Sequence, residues 1–237
     1  MRSLAQPRSV SHAEGPRARR ARCRGPGSQP VAWILQSQAP SRLHRPGQIT
    51  GTGASAMEPA VRRLNWGCGP QPAPGWINSD LLRAPGIDLS CDIRDGLPLA
   101  DESVQYVASI HALQDLPYLD VVPALRELRR VLAPGGVLRL GLPDLERGIA
   151  AYLRDDPAYF YIPDEESATI SGKLIIQMTW YGSNRMMFTW EFARELLLRA
   201  GFREVVRCAF RETASRYPEI VALDNRERES LFVEAVR

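Results

Sequence analysis

Lysine is nearly missing from this chain: Lys173 stands alone against 29 arginines. That bias reads as the codon usage of a GC-rich genome and carries no function. Cysteine is scarce as well. Cys23, Cys68, Cys91 and Cys208 show neither metal-ligand spacing nor a paired framework. This argues against a disulfide scaffold and against a metal site, and points to reduced thiols in a cytoplasmic protein. No run approaches 18 apolar residues, so no membrane-crossing helix is expected. Val31 to Leu35 is too short for a signal-peptide core.

Acidic residues are almost absent from the first quarter of the chain. Residues 1–56 hold nine arginines and one acid, Glu14, which gives about +8. The whole chain is +3, so the remainder is near −5. The basic isoelectric point therefore belongs to the N-terminal segment, and a nucleic-acid partner is not expected for the rest. Residues 1–56 are rich in Arg, Pro, Gly, Ser and Ala, without a hydrophobic period, and are expected to be disordered. A partner-binding arm and an organelle-targeting peptide are two readings of this segment. The preferred one is a start codon assigned too early, because folded-type patterning begins at Met57. The expected domain is therefore 57–237.

A third glycine is also lacking where a dinucleotide site would need one. Leu64-Asn65-Trp66-Gly67-Cys68-Gly69-Pro70 ends a hydrophobic run in two glycines one residue apart, and Gln71 and Pro72 follow. That argues against NAD or FAD. What is present still describes a nucleoside site. Glycines after a strand let backbone N–H groups approach a ligand. Eleven residues past Gly69, the short run Trp76–Asp80 ends in a carboxylate, the group that holds ribose hydroxyls in such sheets.

Strands are expected at Val61–Trp66, Trp76–Asp80, Ile87–Cys91, Val104–Ser109, Val137–Leu142, Phe202–Ala209 and Ser230–Val236. A helix is expected from an Asp120 cap through Leu132, with Leu125, Leu128, Val131 and Leu132 on one face. Others are expected over Asp144–Leu153 and from a Thr189 cap to Ala200. Strands alternating with helices imply a parallel α/β sheet. The last two strands can pair antiparallel near its edge. Only nine residues, with three prolines, link the first two strands, too few for a helical crossover. Residues 155–188 show no clear period. Their aromatics and methionines suit either an apolar lid over a substrate or the underside of a packed loop.

These motifs, in this order, resemble those of class I S-adenosylmethionine-dependent methyltransferases, close to the small type 11 kind. The strand–glycine segment Leu64–Gly69 matches, with Asn65 in place of the usual acid. Asp80 stands at the ribose-binding acid. Cys91-Asp92-Ile93, followed by Leu97-Pro98-Leu99, is similar to the adenine-binding step. His111-Ala112-Leu113-Gln114-Asp115-Leu116 resembles the H-x-L-E-H segment, with Gln114 and Asp115 replacing Glu and His. Arg130–Leu138 is similar to the R-V-L-K-P-G-G-x-L turn. The resemblance implies a Rossmann-like, mostly parallel seven-stranded sheet with helices on both faces and an antiparallel C-terminal strand pair. It implies S-adenosylmethionine as cofactor, held by Asn65, Gly67, Cys68, Gly69, Asp80, Leu81, Asp92, Ile93 and Ser109.

Positioning acceptor and methyl group in a dry site is most of the chemistry, with a base where the acceptor must lose a proton. His111 is the only histidine after Met57. It is either that base or a wall of the cofactor site. Asp144 either binds the acceptor or caps the following helix. The expected function is methyl transfer to a small-molecule acceptor whose identity the sequence does not give. The altered Asn65, Gln105 and Asp115 leave a non-catalytic cofactor-binding scaffold as an alternative. A protein or nucleic-acid methyltransferase is disfavoured, because Ser109-Ile110-His111-Ala112 replaces the N/D-P-P-Y/F run that goes with base-amino methylation. The oligomeric state is not legible.

Overall fold

The computed structural model describes residues 61–237, so the expectations for residues 1–56 lie outside the described residues. Seven strands form one sheet: β1 (Arg63–Trp66), β2 (Ile77–Asp80), β3 (Leu89–Ser90), β4 (Val104–Ile110), β5 (Leu132–Pro143), β6 (Arg203–Cys208) and β7 (Ser230–Val236). Their order is β3-β2-β1-β4-β5-β7-β6. The first five are mutually parallel, and β7 runs antiparallel to both β5 and β6. This is the Rossmann-like arrangement the motifs implied. Among the described residues four α-helices accompany it: α1 (Tyr118–Val131), α2 (Leu145–Leu153), α3 (Ile170–Thr179) and α4 (Trp190–Arg199).

The two faces of the sheet are covered differently. Leu64, Val107, Leu138, Leu140 and Leu142 pack against Leu125 and Leu128 of α1 and Leu196 and Leu197 of α4. On the other face Trp76, Tyr106 and Val137 meet Tyr217 and Ile220, at the 3-10 helix Pro218–Leu223. The short β1–β2 and β2–β3 connections hold no α-helix, so that face is closed by chain lying after β6. A buried ion cluster fastens this cover. Arg139 on β5 donates to both carboxylate oxygens of Asp224 at 2.7 and 2.5 Å and to Glu234 at 2.8 Å. It also reaches the carbonyls of Ala209 and Glu212. All five guanidinium N–H groups are thereby used in a site with no solvent exposure.

Three local expectations change. α1 begins two residues before Asp120, after Pro117, so Asp120 sits in the first turn rather than at the cap. There it faces the positive end of the helix dipole. β5 starts at Leu132, five residues early, because Pro134-Gly135-Gly136 is absorbed into the strand as an irregularity. A Cβ at Gly136 would lie 2.8 Å from the carbonyls of Ala133 and Gln105, so the close passage requires glycine. The 155–188 segment contains α3, whose start Thr169 caps by accepting from Gly172 N–H at 3.2 Å. α3 packs on α2, where Gly148 lets the Met178 side chain approach. Lys173, on α3, is buried and holds the Ile162 carbonyl and Asp164.

Candidate functional site

The parallel strands β1, β2, β4 and β5 end along one edge of the sheet. Because β7 is antiparallel, its first residue Ser230 pairs with Pro143 at the end of β5. Residues just before β7 therefore join the loops at that edge, where ligands bind in open α/β sheets.

Two cavities lie there. The first, of about 350 Å³, is bordered by Gly67 and Gly69 after β1, Asp80 and Leu81 after β2, Asp92 and Ile93 after β3, and His111 after β4. Gly67 and Gly69 both have left-handed backbones, at φ 69° and 57°. A Cβ at Gly67 would stand 2.2 Å from the Ala112 Cβ, whereas one at Gly69 would meet nothing within 4 Å. Gly67 thus lets two loops touch, and Gly69 leaves room at the cleft. Asp80 is held by its own loop: Oδ2 accepts from Gly69 N–H at 2.8 Å and Oδ1 from Leu82 N–H at 3.0 Å. Each oxygen keeps a further lone pair. Asp92 is clasped by Arg94 at 2.5 Å, and these hydrogen bonds hold its carboxyl below the usual range.

Other expected cofactor residues do not border this cleft. Asn65 turns to the opposite face and donates to Asn78 Oδ1 at 3.1 Å. Cys68 tucks its thiol toward the Gly69 carbonyl, and burial, with Asp80 nearby, pushes that thiol up. Ser109 is buried, and its hydroxyl has no partner.

The second cavity, of about 290 Å³, lies on the side of α3. It shares His111 and Asp115 with the first and adds Gln114, Gln177, Trp180, Arg226 and Glu229, among others. Asp115 opens onto both cavities. Packing on its remaining sides raises its carboxyl above the usual range, partly offset by Arg185. Burial also raises the Glu229 carboxyl against the pull of Arg226 and Arg228.

His111 stands between the cavities in a left-handed backbone, at φ 55°. The Ser230 hydroxyl donates to the Arg226 carbonyl at 2.8 Å, so its oxygen is free to accept from His111 Nε2–H at 2.7 Å. That pairing leaves a neutral imidazole with its lone pair on Nδ1. Desolvation, aided by the Arg226 charge, pushes the ring down to about 3. Asp144 borders neither cavity. It is fully buried and caps α2, accepting from Arg147 N–H at 3.1 Å, and burial raises its carboxyl.

Arg185, Arg226 and Glu229 escaped the sequence reading. A signal for the last two was present: the polar run 224–230 immediately precedes a strand expected to be antiparallel, which brings it to the ligand edge. Among the described residues there is no cluster of His, Cys, Asp and Glu able to hold a metal ion. Nor is any helix there long and apolar enough to cross a membrane.

Residues 51–140 match the family model described as a methyltransferase domain. No curated protein matches the chain. Among solved structures it is similar to an S-adenosylmethionine-dependent methyltransferase of Archaeoglobus fulgidus, at 14% identity over 75% of this chain and 87% of that one, TM-score 0.48. It is similar to one of Thermotoga maritima at 19% identity, covering 76% and 84%, TM-score 0.45. A third, from Mesorhizobium loti, has 19% identity, covers 75% and 91%, and has a TM-score of 0.43. The matched residues 51–140, the sheet order and the glycine–acid edge agree in giving a methyltransferase domain on a Rossmann-like sheet.

Proposed function

We propose that this enzyme methylates a small-molecule acceptor, with the cofactor in the first cavity and the acceptor in the second. The observation that carries this reading is the shared wall: His111 and Asp115 border both cavities. A group crossing from one to the other passes these two side chains. The second cavity, at about 290 Å³, is at the small end of ligand pockets, which suits a compact molecule better than a macromolecular chain.

The first cavity fits the cofactor by its donor set. Backbone near Gly67 and Gly69 borders the methionine and ribose part in this reading. Asp80 accepts from the ribose hydroxyls with the lone pairs its loop leaves unused. Leu81 and Ile93 flank the adenine, and Asp92 accepts from its amino group beside Arg94. When bound, S-adenosylmethionine supplies an electrophilic methyl group on a sulfonium. The protein's own part is to orient the acceptor, keep water out and receive a proton. His111 serves as a wall, because a ring pushed down to about 3 is a poor proton acceptor near neutrality. Asp115 takes the acceptor's proton, since it is the carboxylate common to both cavities. The three free thiols of the described residues, Cys68, Cys91 and Cys208, fit a cytoplasmic setting.

Isothermal titration with S-adenosylhomocysteine, followed by a search for its formation from S-adenosylmethionine with small acceptors, tests the reading. Binding plus turnover with a small acceptor supports it. Turnover only with a protein or nucleic acid overturns it.

A further inference from the structure

The first cavity runs along the sheet edge from β3 to β4, with Asp92, Asp80, the two glycines and then His111 and Asp115 following in strand order. Strands lie about 4.8 Å apart, so roughly 14 Å separates the β3 end from the β4 end. Two guanidiniums border the cavity among the described residues, those of Arg94 after β3 and Arg185. Arg94 is engaged: its Nε and Nη2 donate to Asp92 Oδ2 at 3.0 and 2.5 Å. Arg185 is exposed and has no side-chain hydrogen bond or ion pair among the described residues. It comes from the α3–α4 connection, whose main chain is tied to the turn after β4. The N–H groups of Arg185 and Met186 both donate to the Gln114 carbonyl, at 2.8 and 3.0 Å. Its charge is felt at neighbouring Asp115, where it opposes the effect of burial. The β4 end of the cavity thus carries a guanidinium that is held through its backbone and keeps all five donors open to a ligand.

We propose that Arg185 binds the α-carboxylate of the cofactor, an inference that rests on the placement of the cofactor in this cavity above. With the adenine at Asp92 and the ribose at Asp80, the chain beyond the ribose passes the glycines and ends at β4, beside Asp115 and Arg185. That tail carries an ammonium and a carboxylate. Asp80, Asp92 and Asp115 already border the cavity, and a fourth carboxylate among them meets like charge unless a cation faces it. Arg185 is the guanidinium left to do so, because Arg94 is closed onto Asp92. A guanidinium fork matches a carboxylate through two parallel N–H···O bonds. Holding the carboxylate fixes the tail, and with it the sulfur that bears the methyl group. The contact also makes the cavity selective, since an adenosyl thioether without the carboxylate lacks the group that Arg185 holds.

The test uses the full chain and two probes, S-adenosylhomocysteine and its decarboxylated analogue, which keeps the adenosine, the sulfur and the terminal ammonium. Each is titrated calorimetrically into the parent, Arg185→Met and Arg185→Lys. Arg185→Met should bind S-adenosylhomocysteine roughly tenfold or more weakly than the parent does. The analogue should bind the parent more weakly than S-adenosylhomocysteine by a similar factor, and should lose nothing further in Arg185→Met. Arg185→Lys keeps the charge without the fork and should recover part of the affinity for S-adenosylhomocysteine. Because the loss is confined to the probe that carries the carboxylate, it separates a direct contact from damage to the cavity. Equal affinity of S-adenosylhomocysteine for the parent and Arg185→Met, or an equal loss for both probes, would overturn the proposal. Failure of S-adenosylhomocysteine to bind the parent would instead overturn the reading of the first cavity on which it rests.

Discussion

Replacing His111 with Gln should flatten the acid limb of the stability curve. The imidazole is pushed from the ordinary value near 6.5 down to about 3 by burial and by the Arg226 charge. An unfolded chain takes up a proton on this ring below about pH 6.5, and the folded chain refuses it until near pH 3. The contribution is therefore fully present above pH 6.5 and is lost as pH falls toward 3. One proton refused is worth at most about 1.4 kcal/mol per pH unit. Between pH 6.5 and 4.5 the parent should thus lose up to about 2.7 kcal/mol that His111→Gln does not lose. Glutamine can still donate toward Ser230 Oγ, so the variant isolates the titration. Urea unfolding of both proteins from pH 7.5 to 4.5 measures the difference, in which every other titrating group cancels. Parallel curves, or an NMR titration placing the His111 ring near 6.5, would refute the reasoning and restore the ring as a base working near neutrality.

Other substitutions probe the remaining links. Arg139→Met leaves Asp224 and Glu234 buried without a counter-charge and should destabilise the fold by about 3–5 kcal/mol in urea melts. Replacing all three with apolar residues of similar volume should recover most of that loss. Gly67→Ala forces a Cβ into Ala112 at a left-handed backbone and should lower the thermal midpoint. Gly69→Ala meets open space, so it should cost only the roughly 1–2 kcal/mol backbone penalty, and a larger loss from it would contradict the packing argument. Asp115→Asn should reduce turnover about 10²- to 10⁴-fold. In the parent, turnover should fall as pH drops through a carboxyl value raised above the usual range. A pH profile of the same shape in the variant would remove Asp115 from that role.

The sheet was legible because its strands are short apolar runs ended by Gly, Asp or Pro, and β7 was found at its full extent, Ser230–Val236. The Thr189 cap and the Asp144 cap were legible for the same reason: a small polar side chain stands directly before a periodic segment. Helix α3 was not legible. Gly172 sits in its first turn, Ile175 and Ile176 are β-branched, and Ile175 is exposed while Lys173 and Gln177 are buried, so no single apolar stripe forms. Arg139 read as a polar residue in a strand, and only the fold brings Asp224 and Glu234 to it, 85 and 95 residues away. The first cavity was largely written in local motifs, since Gly67, Gly69, Asp80 and Asp92 each follow a strand. Asn65 does not border that cavity, because its side chain is paired with Asn78. The second cavity was hidden because its walls come from four distant stretches that no spacing connects.

The most direct test of the account is calorimetric titration of S-adenosylhomocysteine into the parent and into Asp80→Ala. Asp80 keeps a lone pair on each oxygen beyond its bonds to Gly69 and Leu82, and hydrogen bonds to a charged group contribute roughly 1.5–3 kcal/mol each. The account predicts saturable one-to-one binding by the parent and an affinity at least about tenfold lower in Asp80→Ala. Equal affinity in the two proteins, or no binding by the parent, would contradict it.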